Sequence, residues 1–305
     1  RDNPTRYMVQ NEILLNSPEY DFSPAWASED YATIYFSSSR QGAQGVEIDK
    51  RTGESYQDIF FATRDKKGKW SEPERLTYRV NTIHNEATPL LTKKLDMMFF
   101  TRCESTKDEN KGCDIYVSRK TDNTWSTAKL LELKNKESDK TTTVGHPALT
   151  EDESHIIFAS DMPGGEGGKD LWIAPLDKAS LTAGKAVNLK NLNTPGDEMF
   201  PYVRSNGTLY FASDGHPGMG GLDIFSAEKT GDNTWGNVQN LKAPINSIGH
   251  DFGIVWEGDA ERGFLSSDRS GGKGKDDIYS FNMPPRLFAL QGVVYDKDTQ
   301  LPVPD

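Results

Sequence analysis

Short apolar or alternating runs of four to seven residues recur along the chain, rich in Ile, Val, Phe, Tyr and Trp and bounded by Gly, Asn, Asp or Pro. Such runs read as strands, because β-branched and aromatic side chains suit a pleated surface and the flanking residues suit tight reversals. No segment sustains an apolar period of 3.6, so almost no helix is expected. One phrase returns five times: an aromatic strand, a Gly-rich acidic loop, then Asp, an aliphatic residue and an aromatic one. Its clearest copies are Leu209-Tyr210-Phe211-Ala212-Ser213-Asp214 leading to Asp223-Ile224-Phe225, and Ile156-Ile157-Phe158-Ala159-Ser160-Asp161 leading to Asp170-Leu171-Trp172. Copies beginning at Gly263, Met98 and Ile34 lead to Asp277, Asp114 and Asp58.

The flanks of the phrase repeat as well. Asn16, Asn81, Asn193 and Asn246 precede Asp21, Glu86, Glu198 and Asp251 by five residues in every case. Pro24, Pro89 and Pro201 follow, with Ile254 in the last copy; the third copy has Asp139 and Val144 in the Asn and acidic places but keeps Pro147. Downstream, Trp70, Trp125 and Trp235 precede Leu76, Leu131 and Leu241 by six. The third copy offers Ala183 and Leu189 there. The Pro-place positions are spaced by 65, 58, 54 and 53 residues. Four strands in each such unit describe a β-propeller blade. The last unit, Asp251 to Phe281, has three strands, and Arg6 to Gln10 forms one strand ahead of the first unit. Pairing them closes the ring and hides two edges that would otherwise invite aggregation.

The expected fold is therefore all-β: a five-bladed β-propeller over residues 5–283 whose last blade is closed by the N-terminal strand, followed over 286–305 by the opening strand of a truncated β-sandwich module. Between them Asn282-Met283-Pro284-Pro285 reads as a linker, since neither proline can join a central strand. The chain begins at Arg1 without a signal-peptide pattern and reads as a piece of a longer protein. A net charge of −11 over 305 residues argues against nucleic-acid partners. No apolar run approaches the 18 or so residues of a membrane-spanning helix.

Candidate chemistry falls on three features. In a propeller the blade-to-blade connections and the loops between second and third strands share one face, which brings Asp21, Glu86, Glu198 and Asp251 around the axis. Two readings stand: an acidic ring able to hold a cation or a basic peptide, or carboxylates that accept backbone N–H groups and fix each connection. Cys103 and Cys113 flank a hairpin mouth and face each other there. A disulfide is geometrically reasonable, with two free thiols as the alternative; the disulfide would imply an oxidising compartment. The Gly-rich loops, such as Asp161 to Asp170 and Asp268 to Asp277, read as turn chemistry rather than calcium loops, because their Asp residues sit at opposite strand ends with Lys between. The three Trp read as packing between blades, and the five His show no metal-ligand spacing.

The wording Glu198-Met199-Phe200-Pro201, Leu209 to Asp214 and Gly220-Gly221-Leu222-Asp223-Ile224-Phe225 resembles WD40-like repeats of the TolB-type propellers. It is similar to the propeller of OmpA-family periplasmic proteins of Bacteroidetes, a family that includes PorE-like components of the type IX secretion system. The tail Gly292-Val293-Val294-Tyr295-Asp296 with Leu301-Pro302 is similar to the start of the carboxypeptidase-regulatory-like domain that follows that propeller. The resemblance implies a periplasmic protein associated with the outer membrane, and peptidoglycan contact through a domain absent from this piece. It also implies docking of periplasmic or outer-membrane proteins of the secretion machine, with no cofactor. The evenness of the repeat points the same way, toward a non-catalytic scaffold rather than an enzyme. A glycan- or peptidoglycan-binding propeller is the alternative, and a glycosidase with non-equivalent axial carboxylates is a third reading.

Overall fold

The computed structural model describes residues 4–44, 48–49, 54–104, 111–286 and 295–301. Among these there is no helix; five antiparallel sheets form the blades of a propeller. Blade 1 runs outward through Asp21–Trp26, Thr33–Ser38, Asp58–Thr63 and Glu74–Arg75. Blade 2 uses Asn85–Leu91, Met97–Cys103 and Cys113–Thr121, with outer pieces Thr124–Trp125 and Lys129–Leu130. Blade 3 uses Val144–Leu149, His155–Ser160 and Asp170–Asp177, with outer pieces Thr182–Ala183 and Val187–Asn188. Blade 4 is Glu198–Val203, Leu209–Ser213, Asp223–Gly231 and Thr234–Asn240. Blade 5 is Asp251–Trp256, Arg262–Ser267 and Asp277–Asn282, closed by Met8–Asn11 from the start of the chain. The closing register runs from Met8↔Asn282 to Asn11↔Tyr279.

Among the described residues of blades 1 to 4 the outer strand is long only in blade 4; in blade 1 Trp70 reaches the sheet through a single bridge to Arg64. The insertion after Ser39 carries a small pairing of Ile48–Asp49 with Glu54–Ser55. The rest of that insertion, and the strand expected over 287–296, lie largely outside the described residues.

The core lies between blades, not within them. Met97, Phe99 and Ile115 of blade 2 pack on Ile156, Phe158 and Trp172 of blade 3, and each of the other four junctions has its own cluster. The Trp residues of the outer positions sit in these junctions, Trp70 against Phe264 at 6.0 Å and Trp125 against Tyr35 at 6.4 Å between ring centroids. Burying side chains of this size contributes roughly 1.5–3 kcal/mol each.

The recurring Asn locks one blade to the next. Asn246 accepts the Ile224 N–H at 2.8 Å and donates to the Ile224 carbonyl at 2.9 Å, so its amide imitates one more residue of a neighbouring strand. Asn16 does the same to Ile278, Asn81 to Ile59 and Asn193 to Leu171. In the third copy Asp139 turns back onto its own loop and accepts the N–H groups of Thr141 and Thr142.

Candidate functional site

The four repeated carboxylates are fully buried. Glu198 accepts the Thr194 N–H at 2.8 Å and the hydroxyls of Thr194 and Ser213 at 2.6 Å. Glu86 accepts the Thr82 N–H and hydroxyl and pairs with Arg102 at 2.7 Å. Asp21 and Asp251 take the equivalent Ser17 and Ser247 groups, the hydroxyls of Ser38 and Ser267, and the guanidinium groups of Arg40 and Arg269. Their partners are thus the segment just after each repeated Asn and the neighbouring strand. The third-strand aspartates likewise accept amides of their own loops: Asp223 those of Met219 and Gly220, Asp277 those of Lys273 and Gly274. Among the described residues no three His, Cys, Asp or Glu side chains converge as a metal set would.

Next to this frame the blades differ. The backbone N–H of each buried carboxylate residue donates to the carbonyl of the residue that precedes the third-strand Asp of the preceding blade. The pairs are Asp21 to Asp276 (2.8 Å), Glu86 to Gln57 (2.9 Å), Glu198 to Lys169 (2.6 Å) and Asp251 to Leu222 (2.7 Å). Cys113 holds the fifth such position. The frame therefore fixes the backbone of four unlike residues, Gln57, Lys169, Leu222 and Asp276, in a ring whose fifth place is Cys113. Four of these five, all but Leu222, line a cavity of about 310 Å³ on the axis, with Tyr20, Thr143 and the aromatic rings of Phe22, Phe200 and Phe252. Cys113 forms a disulfide with Cys103, its direct partner across the hairpin, and both residues line the cavity.

The floor of this cavity is a second five-fold tier. Ser23, Thr88, His146, Phe200 and Gly253 occupy equivalent positions, each at a bulge in its inner strand, with φ between +50° and +59°. Only glycine adopts this left-handed conformation freely; others meet a cost of roughly 1–2 kcal/mol each. Three bulge N–H groups are caught by a hydroxyl of the preceding blade: Ser23 by Ser266 at 2.9 Å, Thr88 by Ser37 and His146 by Thr101 at 2.8 Å. Blade 3 has Ala159 where that hydroxyl belongs, and the Phe200 N–H turns instead to Nδ1 of His146 at 3.4 Å. His146 lies flat on Phe200, 3.9 Å between ring centres and 15° between planes, and Phe200 in turn meets Phe252 at 4.5 Å. Burial, with a smaller push from Lys169, holds the imidazole pKa down near 3, so Nδ1 is an acceptor throughout the neutral range.

Asp276 is the unusual titrating group of the upper cavity. Burial is the main cause that raises its carboxyl to about 7; the charge of Asp268 adds to it, His250 opposes it, and Asp277 and Asp21 add less. Below the aromatic floor a second cavity of about 420 Å³ opens toward the opposite face, walled by Pro24, Pro89, Pro147, Pro201 and Ile254 with Trp26 and Trp256. Among its charged groups Arg204 donates to the carbonyls of Asp259 and Ala260, and Glu153 accepts the Lys93 N–H and pairs with Lys178. In the upper cavity the carboxyl raised toward neutrality is Asp276.

No family model matches this chain, and no curated protein matches it. Solved structures do. A family 117 glycoside hydrolase from Zobellia galactanivorans superposes with a TM-score of 0.58 at 12% identity, over 92% of this chain and 90% of that one. A GH43 endo-arabinanase from Bacillus licheniformis gives 0.56 at 12% identity over 92% and 97%, and an exo-1,5-alpha-L-arabinanase from a bovine ruminal metagenomic library gives 0.54 at 12% over 95% and 98%. Identity this low shows a shared five-bladed fold. The expectation of a non-catalytic docking scaffold is corrected on this finding: the three superposable propellers, at 12% identity, are enzymes that cleave glycans and not docking proteins. The reason that expectation failed is local. Evenness belongs to the frame, whereas the axial residues one position away from it differ from blade to blade.

Proposed function

We propose that this propeller is a glycan-cleaving hydrolase whose reaction site is the upper axial cavity, with Asp276 as the general acid. The observation that carries the reading is a carboxyl raised to about 7 in the wall of an aromatic-floored pit. Glycoside cleavage needs a carboxylic acid still protonated near neutrality to deliver its proton to the leaving oxygen, and a second carboxylate that acts on the anomeric carbon directly or through water. Asp21 and Asp277 are buried and committed to hydrogen bonds. Asp268 lies outside the cavity lining, but it is exposed, its Oδ1 accepts the His250 N–H at 2.6 Å and its charge acts on Asp276, so it is the second carboxylate of this reading. Phe22, Phe200 and Phe252 offer the apolar surface on which a sugar ring packs, and the superposable arabinanases and family 117 glycoside hydrolase support the substrate class.

The Cys103–Cys113 disulfide supports an oxidising compartment. Together with the resemblance to OmpA-family propellers it makes the periplasm, beside the cell wall, the setting of this proposal. The test is release of reducing ends from a panel of plant, algal and bacterial oligosaccharides. Asp276→Asn and Asp268→Asn are each expected to lose about a hundredfold or more in kcat while unfolding at the wild-type urea midpoint. Turnover retained in Asp276→Asn would remove the acid from this scheme.

A further inference from the structure

We infer that the upper cavity selects a glycan carrying a sugar carboxylate, with Lys169 as the residue that recognises it. This rests on the cavity being the glycan site. Lys169 occupies the same position in blade 3 that Asp276 occupies in blade 5, and its backbone is held by the same device, the Glu198 N–H on its carbonyl at 2.6 Å. Among the described residues lining the cavity it is the only lysine or arginine, in a chain whose net charge is −11. His146 beneath it is neutral. Outside the lining, the Lys275 ammonium sits over the Tyr20 ring at 4.8 Å.

The Lys169 side chain is about one-third exposed, and its ammonium is only loosely matched by protein. Its one counter-ion, Asp197, lies 3.8 Å away, at the outer limit of an ion pair. That carboxylate is also engaged elsewhere, accepting the Lys169 N–H at 2.6 Å through Oδ1. Among the described residues the Lys169 Nζ donates no hydrogen bond, so a ligand carboxylate gains charge-assisted donors without displacing a well-made contact. The wall thus presents a cation on blade 3 and a protonated acid on blade 5. A neutral arabinan-type chain uses only the acid, whereas a hexuronic-acid chain uses both.

The measurement is calorimetric binding of a hexuronic-acid oligosaccharide and of its carboxyl-reduced form, the same chain with each acid converted to a primary alcohol. Wild-type protein should prefer the acid form by about tenfold or more. Lys169→Met should bring the two affinities together by weakening only the acid form, and Lys169→Arg should keep the preference. Equal wild-type affinities, no binding of either form, or a preference that survives Lys169→Met each overturn the inference. Hydrolysis is scored separately: a preference for the acid form without cleavage leaves recognition standing and removes the hydrolase reading.

Discussion

Replacing Glu198 with Ala separates frame from site most directly. The side chain is fully buried and receives three hydrogen bonds of 2.6–2.8 Å, from the Thr194 N–H, the Thr194 hydroxyl and the Ser213 hydroxyl. In the variant the two hydroxyls can rotate toward other acceptors, but the Thr194 amide cannot, and a buried orphan amide costs about 1–3 kcal/mol. Deleting the rest of the side chain leaves a void in a packed junction, which adds about 1–2 kcal/mol. Relief from burying a carboxylate offsets part of this. The expected loss is about 2–4 kcal/mol, read from urea unfolding followed by the fluorescence of the six tryptophans. Val144, fully buried where blade 3 would carry the carboxylate, shows that one blade holds without it, so the variant should still fold. At 25 °C its affinity for an axial ligand should stay within about twofold of wild type, because the carboxylate faces the blade connection. A loss below about 1 kcal/mol, or abolished ligand binding at unchanged stability, would refute the architectural role and restore the acidic-ring reading for Asp21, Glu86, Glu198 and Asp251.

Three further outcomes are expected. Asp276 has a folded pKa near 7 against about 3.9 unfolded. Its protonated form therefore favours folding, an advantage that fades as pH rises from about 4 to 7; activity should fall on the alkaline side of about pH 7, and a pH–rate profile without that limb would count against it. Phe200→Ala removes the ring stacked between His146 and Phe252 and should cost about 3 kcal/mol in urea unfolding; a cost under about 1 kcal/mol would mean that the floor is not packed as described. Deleting residues 1–12 exposes the edge of Asp277–Asn282 along its length and should give a chain that self-associates in light scattering; a monomer of wild-type stability would show that closure is dispensable.

Much of the frame was legible in the sequence because it repeats. The Asn-to-carboxylate offset of five is the arc from one clasped strand to the next inner strand, and the missing outer strand of the last unit was found in Met8–Asn11. The axial chemistry was not read, although it lies one residue from every repeated position. Strand side chains alternate between faces, so Phe22 points away from the junction that holds Asp21, and Asp276 stands beside Asp277 at the head of its strand. A search for what recurs passes over these neighbours because they do not recur. The doubled Asp276-Asp277, the lone Lys169 and the Cys113 that aligns with both were the available signals. The left-handed bulges had a weaker trace. Ser23, Thr88, His146 and Phe200 each precede a proline, which ordinarily marks extended backbone, so sequence gave no warning of a positive φ.

The closure of blade 5 has a mechanical consequence. Met8 pairs with Asn282 and Asn11 with Tyr279, so the chain segments leaving this pairing toward the two termini depart from the same end of the ladder. Tension between them loads the hydrogen bonds one rung at a time, as a zip, rather than all together in shear. The ring should therefore yield at low force when pulled through those segments, opening blade 5 first. A pull through any one flank alone leaves the ladder unloaded.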